Sequence, residues 1–215
     1  MMSSKAFLIG IAGGTGSGKT SLAKSIVSHF NPSEIDIIQQ DSYYKDLINL
    51  PIEEREKTNF DHPNAIDFNL MKNQLNDLIY GKSIEVPIYD FSTHTRIKKT
   101  RHLNKINIII FEGILSLHDP EIRKLMNMKI FVETADDIRV MRRIKRDVNK
   151  RNRSLLSVIK QYNETVRPMH LEYVEKTKKH ADIIIPEGSH NEIAIDIIKT
   201  KIISIIEKNT SKQES

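Results

Sequence analysis

The stretch from Gly13 to Thr20 reads GGTGSGKT and matches the pattern G-x-x-x-x-G-K-[ST]. It follows an apolar run, AFLIGIA, and precedes a segment with helical periodicity, which is the context that this motif requires. Four of the chain's eight glycines lie between Gly13 and Gly18, where a tight loop lets backbone N–H groups approach phosphate oxygens without a Cβ in the way. The stretch therefore predicts a phosphate-binding loop between a strand and a helix.

The residue types of this loop predict individual roles. Lys19 is expected to reach the β- and γ-phosphates of a nucleoside triphosphate, and the Thr20 hydroxyl to bind Mg²⁺. The helix that begins near Lys19 adds the positive end of its dipole to the site. The predicted nucleotide-binding residues of the loop are Gly13, Gly14, Thr15, Gly16, Ser17, Gly18, Lys19, Thr20 and Ser21.

Strand-like and helix-like segments alternate along the chain. The strand-like runs are continuous and rich in β-branched residues, as in a parallel sheet covered on both faces. They lie at 6–12, 35–39, 106–111, 128–133 and 181–186, and the helix-like segments lie at 19–30, 69–80, 136–150 and 189–206. This alternation predicts an α/β fold with a doubly wound, three-layer parallel sheet.

Two other regions have a different character. Residues 83–103 are short, extended and interrupted by polar residues and Pro87, which predicts a small β-hairpin inserted at the sheet edge. Residues 139–180 are polar and basic and predict a mobile helical lid over a site. We expect a single domain over residues 1–208 and a disordered tail at 209–215.

An acid follows each of two strand-like runs. Glu112 ends INIIIFEG, and Asp41 directly follows IDIIQQ. Ligands bind at the carboxyl ends of the strands in open α/β sheets. We therefore assign Glu112 to the Mg²⁺ shell, and an ordinary surface acid remains the alternative.

Basic residues are concentrated in one segment. Residues 139–153 contain eight Lys or Arg and one acid, although the whole chain has a net charge of only +5. The arginines recur at helical spacing, and Ile138, Met141, Ile144 and Val148 are predicted to form the packing side of the same helix. Such a stripe fits a lid that closes on a triphosphate, a solvated face or a nucleic-acid-binding surface.

Composition excludes several classes of protein. The absence of cysteine rules out disulfides, thiol catalysis and cysteine-ligated metals, and agrees with a reducing cytosol. The first apolar run is too short for a signal sequence or a membrane span, so we expect a cytoplasmic protein without membrane contact. A GTPase is disfavoured because no N-K-x-D motif is present.

Six segments in order resemble the uridine kinase (uridine–cytidine kinase) family, from about residue 6 to 206. They are GGTGSGKT, QQDSYYKD, NFDHPNAIDF, VPIYDFSTHTR, FEGIL and RRIKRDVNKRNR. Their combination separates the chain from phosphoribulokinases and pantothenate kinases. The resemblance implies Mg²⁺-dependent transfer of a phosphoryl group from ATP or GTP to the 5′-hydroxyl of uridine or cytidine, in a homotetramer that binds no nucleic acid.

The resemblance also implies roles for individual residues. Asp41 would be the catalytic base and a Mg²⁺ ligand, and Asp61 would hold the ribose hydroxyls with help from Arg143. Tyr89 and His94, which in isolation suggest a packing residue and a loop histidine, would read the pyrimidine. The nucleoside pocket would also contain Tyr44, Phe60, Arg153 and Gln161, and the phosphates would contact Arg146 and Arg151.

Two positions depart from the family pattern. His190, assigned to the nucleotide site, stands where the family often has an acid, and Asn152 stands where a glycine is usual. Two alternatives to a nucleoside kinase remain open. One is another small-molecule kinase on the same frame, such as a phosphoribulokinase-like enzyme, and the other is a P-loop nucleotide sensor or RNA-binding module.

Overall fold

Strands and helices alternate along most of the chain. A computed structural model describes residues 5–211. In chain order the elements are β1 (Phe7–Gly13), α1 (Lys19–Val27), β2 (Ile35–Gln39), α2 (Ile52–Glu56), α3 (Phe68–Ile79), β3 (Ile84–Asp90), β4 (Thr95–Leu103), β5 (Ile108–Glu112), α4 (Pro120–Leu125), β6 (Met128–Glu133), α5 (Asp136–Arg151), α6 (Leu155–Gln161), α7 (Arg167–Met169), β7 (Ile183–Pro186) and α8 (Glu192–Ser211). All five predicted strands and all four predicted helices are confirmed, with boundaries that shift by a few residues.

The central sheet contains five parallel strands in the order β2-β5-β1-β6-β7. β1 lies in the middle, paired with β5 on one side and β6 on the other. Ile108, Ile109 and Ile110 are fully buried in succession, so β5 is covered on both faces. Burial on both faces of the sheet is the physical cause of the continuous apolar runs in the sequence.

Helices cover both faces of the sheet. On one face, Ile26 of α1 and Ile198 of α8 pack with the strands in one hydrophobic cluster. On the other face, Leu75 of α3 and Ile122 of α4 belong to a second cluster. The predicted three-layer α/β architecture is confirmed. Helix α8 continues to Ser211, and residues 212–215 of the predicted disordered tail lie outside the described residues.

Strands β3 and β4 form the predicted hairpin as a separate two-stranded antiparallel sheet. Arg101 of β4 donates from Nη2 to the carbonyl oxygen of Ile37 at 2.8 Å, and Arg96 donates from Nε to the carbonyl oxygen of Tyr44 at 2.9 Å. Because Ile37 lies in the edge strand β2, the hairpin covers that edge and approaches the loop after it.

The segment between α5 and β7 is almost entirely helical. A π-helical turn at Tyr162–Val166 joins α6 to α7, and a second π-helical turn at His170–Val174 and a 3-10 turn at Glu175–His180 follow α7. Within residues 5–211, none of the helices has the length and apolar character needed to cross a membrane.

Candidate active site

The loop between β1 and α1 has the backbone that its glycines predict. Gly13, Gly16 and Gly18 have φ angles of 147°, 77° and 94°, in the region that favours glycine. A Cβ added to Gly13 would lie 2.6 Å from the carbonyl oxygen of Val132 in the neighbouring strand β6. The loop leads directly into α1, whose first-turn N–H groups provide an anion-binding end.

Thr20 and Glu112, predicted to share a metal, are in direct contact. The Thr20 hydroxyl donates to Oε1 of Glu112 at 2.9 Å, and Gln39 Nε2 donates to the same oxygen at 3.3 Å. Burial raises the pKa of Glu112, Lys19 opposes the shift, and Asp41 adds to it. A hydroxyl and carboxylates are the hard oxygen ligands that Mg²⁺ prefers, so the donors fit the ion. Within residues 5–211, no cluster of three or more histidine or acidic side chains suited to a metal occurs.

The negative charges of three acids act on the ammonium group of Lys19. Burial lowers the pKa of Lys19, while the charges of Glu112, Asp41 and Asp61 raise it. Burial raises the pKa of Asp61, which Arg143 opposes and Asp41 reinforces. These acids come from β5, from the 3-10 turn Gln40–Tyr43 and from the loop before α3. The fold therefore brings the predicted phosphate lysine, the predicted base and the predicted ribose ligand into one charged site.

Gln40, which sequence reasoning did not single out, connects two parts of this site. Its Oε1 accepts a hydrogen bond from the backbone N–H of Leu115 at 2.8 Å, and its side chain is buried. A Cβ at Gly113 would collide with the Gln40 side chain, so the chain after Glu112 passes close to Gln40 because Gly113 has no side chain. Gln40 thus holds the turn that contains Asp41 next to the end of β5.

Aromatic side chains from three segments form one wall beside the acids. The Tyr44 ring lies 5.2 Å from the rings of Phe60 and Tyr89, measured between centroids. His94 is stacked on Phe60 at 4.8 Å with an interplanar angle of 14°. Burial raises the pKa of both tyrosines, so both phenols remain protonated and able to donate at neutral pH. The structure thus brings together four residues that the resemblance assigned to a nucleoside pocket.

Two features of the hairpin tip were not predicted. His94 has a φ angle of 55°, a left-handed conformation that non-glycine residues seldom adopt, and its ring is stacked on Phe60. Phe91 packs against Tyr89 at 5.4 Å, and the guanidinium of Arg151 lies 5.2 Å from the Phe91 ring centroid. Arg151, predicted to contact phosphates, therefore lies on the aromatic side of the site.

The predicted packing side of α5 is wrong. Met141 is 67% exposed and Ile138 40% exposed, whereas Ile144 and Val148 are only partly buried. The buried residues of the helix are Arg139, Arg143 and Asp147. The helix turns this charged face inward because it packs against the phosphate loop, whose polar backbone provides partners that an apolar core lacks.

Arg143 connects the lid with the phosphate loop. Its Nη1 donates to Oγ1 of Thr15 at 3.1 Å, and its Nη2 donates to Oε1 of Gln161 at 2.9 Å. Arg153 Nη1 donates to the same oxygen of Gln161 at 2.5 Å. The three residues predicted for the nucleoside pocket thus form one hydrogen-bonded group, which also reaches the loop.

A second buried arginine of α5, Arg139, has a role that sequence reasoning missed. It donates from Nε to the carbonyl oxygen of Thr134 at 3.1 Å, and its Nη2 lies 3.0 Å from Nε2 of His170. A Cβ at Gly14 would collide with this guanidinium and touch His170, so both side chains rest on the phosphate loop. The sequence does not single out His170.

The remaining predicted residues lie at the margin of the site. Arg146 acts on the pKa of Lys19 and Asp61, which places its charge beside the predicted phosphate position. His190 is exposed, but its turn, Gly188–His190, packs on the end of the phosphate loop. Asn152 takes a left-handed conformation with φ 51°, which explains why glycine suits this position.

Residues 8–194 match the sequence model of the phosphoribulokinase/uridine kinase family. A protein named uridine kinase from Streptococcus agalactiae is 52% identical over 205 residues, which cover 95% of this chain and 98% of that protein. One of the same name from Geobacillus is 50% identical over 209 residues, which cover 97% of this chain and 99% of that protein.

Solved structures agree on the fold at low sequence identity. Phosphoribulokinase from Rhodobacter spheroides superposes with a TM-score of 0.61 at 14% identity, covering 86% of this chain and 71% of that one. D-glycerate 3-kinase from Cryptococcus neoformans superposes with a TM-score of 0.62 at 15% identity, covering 80% of each chain.

Proposed function

Because the chain belongs to the phosphoribulokinase/uridine kinase family, we propose that it is an enzyme that phosphorylates the 5′-hydroxyl of uridine and cytidine at the expense of ATP. The products are UMP, CMP and ADP. The observation that carries the proposal is the aromatic wall of Tyr44, Phe60, Tyr89 and His94 beside the predicted ribose ligand, Asp61. A nucleoside matches this combination because its flat base can stack on the aromatic rings while its sugar hydroxyls bind the carboxylate. An acyclic phosphosugar has no flat ring that could stack there.

Different residues of the chain have different roles in an in-line transfer of the phosphoryl group. The loop amides and Lys19 hold the triphosphate, and Arg146 neutralises charge on the transferring group. Asp41 orients the attacking hydroxyl and accepts its proton. Thr20, Glu112 and Asp41 would hold Mg²⁺, which when bound offsets the negative charge of the phosphates.

The nucleoside is held at two ends. Asp61 accepts hydrogen bonds from the ribose hydroxyls, and the positive charge of Arg143 lowers its pKa and so favours the ionised carboxylate. Tyr89 and His94 contact the pyrimidine, with Arg153 and Gln161 closing the pocket. GTP can replace ATP as donor because the phosphate loop binds the phosphates and not the base.

The resemblance extends the proposal to the setting of the enzyme. We propose a cytoplasmic homotetramer that serves pyrimidine salvage. No contact with nucleic acid or membrane is part of this function, since the buried arginines of α5 face the phosphate loop.

An acceptor panel tests the proposal. The protein is supplied with ATP and Mg²⁺, and ADP release is measured with uridine, cytidine, ribulose 5-phosphate and pantothenate. We expect turnover with the two nucleosides, and a loss of about 10²- to 10⁴-fold in kcat for Asp41→Asn. Turnover only with a non-nucleoside would refute the acceptor assignment. Salt-sensitive RNA binding without any turnover would instead favour the RNA-binding alternative.

A further inference from the structure

One carboxylate of α5 is surrounded by four arginines. Asp147 is the only acid between residues 139 and 153, and its side chain is 0% exposed. Arg146 Nε donates to its Oδ1 at 2.8 Å. Arg143 Nε lies 3.5 Å from Oδ2, Arg151 Nη1 3.6 Å from Oδ1, and Arg153 Nη1 4.0 Å from Oδ2.

The main chain of Asp147 contributes to the same arrangement. Its carbonyl oxygen accepts hydrogen bonds from the N–H groups of Asn152 and Arg153, the latter at 3.2 Å. The left-handed conformation of Asn152 reverses the chain at the end of α5 and returns Arg153 to the helix. The helix therefore ends in a turn that folds its last arginine back onto Asp147.

The carboxylate is ionised in this setting. Burial alone would raise the pKa of Asp147, but the hydrogen bond from Arg146 and the charges of Arg146, Arg143 and Arg151 lower it. Burial lowers the pKa of Arg143, and the negative charges of Asp61 and Asp147 offset that effect. Without Asp147, the four guanidinium groups would repel one another with no shared counter-ion.

Arg143 and Arg151 also direct part of the guanidinium to groups other than Asp147. Arg143 reaches Thr15 and Gln161, and Arg151 lies over Phe91. A guanidinium has five N–H donors in a rigid fork, so one contact with Asp147 sets the direction of the others.

We propose that Asp147 is a positioning residue, which orients the lid arginines toward the phosphoryl group and the nucleoside without touching either substrate. The inference rests on the proposed function, because it concerns how the same site is aligned for turnover. A misplacement of about 1 Å in such groups can lower a rate about 10²-fold.

The test compares three variants of the full-length protein. Asp147→Asn removes the charge and keeps the shape, whereas Asp147→Glu keeps the charge and displaces it. Asp137→Asn is the matched control, since it makes the same charge change at an exposed position of α5. For each variant we measure kcat with uridine, inhibition by inorganic pyrophosphate and the folded fraction by circular dichroism.

We expect Asp147→Asn to stay folded and to lose about 10²-fold in kcat. Pyrophosphate should inhibit it about fivefold more tightly, because the partly exposed arginines carry one more uncompensated charge. Asp147→Glu should recover about tenfold of the lost kcat with normal pyrophosphate inhibition, and Asp137→Asn should match the wild type. Opposite changes in turnover and anion affinity distinguish positioning from a loss of structure.

A kcat within twofold of wild type for Asp147→Asn would overturn the inference. So would a loss that only follows the folded fraction, or an Asp147→Glu variant no more active than Asp147→Asn. If Asp147→Asn does not fold, Asp147→Glu decides: a loss of about tenfold supports the inference, and full activity overturns it. If the wild type fails to phosphorylate uridine, the proposed function fails. Direct binding of pyrophosphate, measured by isothermal titration calorimetry, then tests the arginines: binding about fivefold tighter to Asp147→Asn than to wild type supports the inference, and equal binding overturns it.

Discussion

The fold holds His170 in its neutral form. Its Nε2 lies 3.0 Å from Nη2 of Arg139, and because a guanidinium only donates, this nitrogen must accept. Its Nδ1 is buried without a hydrogen-bond partner in the part of the chain that the structure describes. Burial lowers the pKa of His170 to about 4, the charges of Arg139 and Lys19 add to the shift, and Asp136 opposes it.

Glu175 also lies near this ring. Its Oε2 lies 3.5 Å from Nε2 of His170, but the glutamate side chain is 45% exposed and its attraction is therefore screened by water. Arg139 is only 3% exposed and its charge acts at closer range. The arginine therefore outweighs the glutamate, and protonation of His170 works against folding.

The consequence for stability can be calculated from these pKa values. Above pH 6.5, the ordinary pKa of histidine, the imidazole is neutral in both the folded and the unfolded chain. As the pH falls below 6.5, the unfolded chain takes up the proton first, so stability is lost until the folded pKa of about 4 is reached. The total loss is roughly 3 kcal/mol, of which about 2 kcal/mol is lost by pH 5.

The assay is urea unfolding at pH 7.5 and pH 5.0 for the wild type and His170→Phe, which fills a similar volume without titrating. Other groups titrate equally in both proteins, so the comparison isolates His170. The wild type should lose about 2 kcal/mol more than the variant between the two pH values. His190→Gln, at an exposed position, is the control and should behave as the wild type. Equal losses in wild type and His170→Phe would show that the folded chain accepts the proton, which refutes the reasoning.

Two further predictions concern the site. Glu112→Gln removes the carboxylate that accepts a hydrogen bond from Thr20, so kcat should fall by about 10²-fold and half-saturation should require more Mg²⁺. A Mg²⁺ titration of the activity at fixed ATP checks this, and an unchanged Mg²⁺ requirement would contradict it. Tyr173→Phe breaks the 3.0 Å hydrogen bond to Nε2 of His62, which is next to Asp61 in the chain. The variant should lose about 1 kcal/mol of unfolding free energy and have a higher KM for uridine. An unchanged KM would show that this hydrogen bond does not support the nucleoside site.

The sheet and the phosphate loop could be predicted from sequence for local reasons. The run Ile108–Phe111 is apolar at every position because both faces of β5 are covered, and such continuous runs are typical of strands in a parallel sheet. The conformation of the phosphate loop is determined by the consecutive residues from Gly13 to Thr20. Prediction therefore succeeded where a structural feature depends on residues that are close together in the sequence.

The site beyond the loop is formed by contacts that are distant in sequence. Tyr44 meets Tyr89, and Arg139 meets His170, only because the strand order and the helical segment after α5 bring them together. Neither pair has a spacing that marks it, and only the order of six motifs pointed to the first. Gln40 shows the same limitation, since its partner Leu115 lies 75 residues away.

The error in α5 has a more general cause. The periodicity of a helix identifies two faces, but it does not say which face is buried unless the surroundings are known. Assigning Met141 to the buried side assumed an apolar neighbour, whereas α5 packs against a polar loop and buries Arg143 and Asp147. An acid among basic residues at helical spacing was the available clue. Asp147 lies four residues from Arg143 and from Arg151, so one buried carboxylate can pair with both. In α5 the one acid of the basic stripe thus lies on the inward face, together with the arginines that share it.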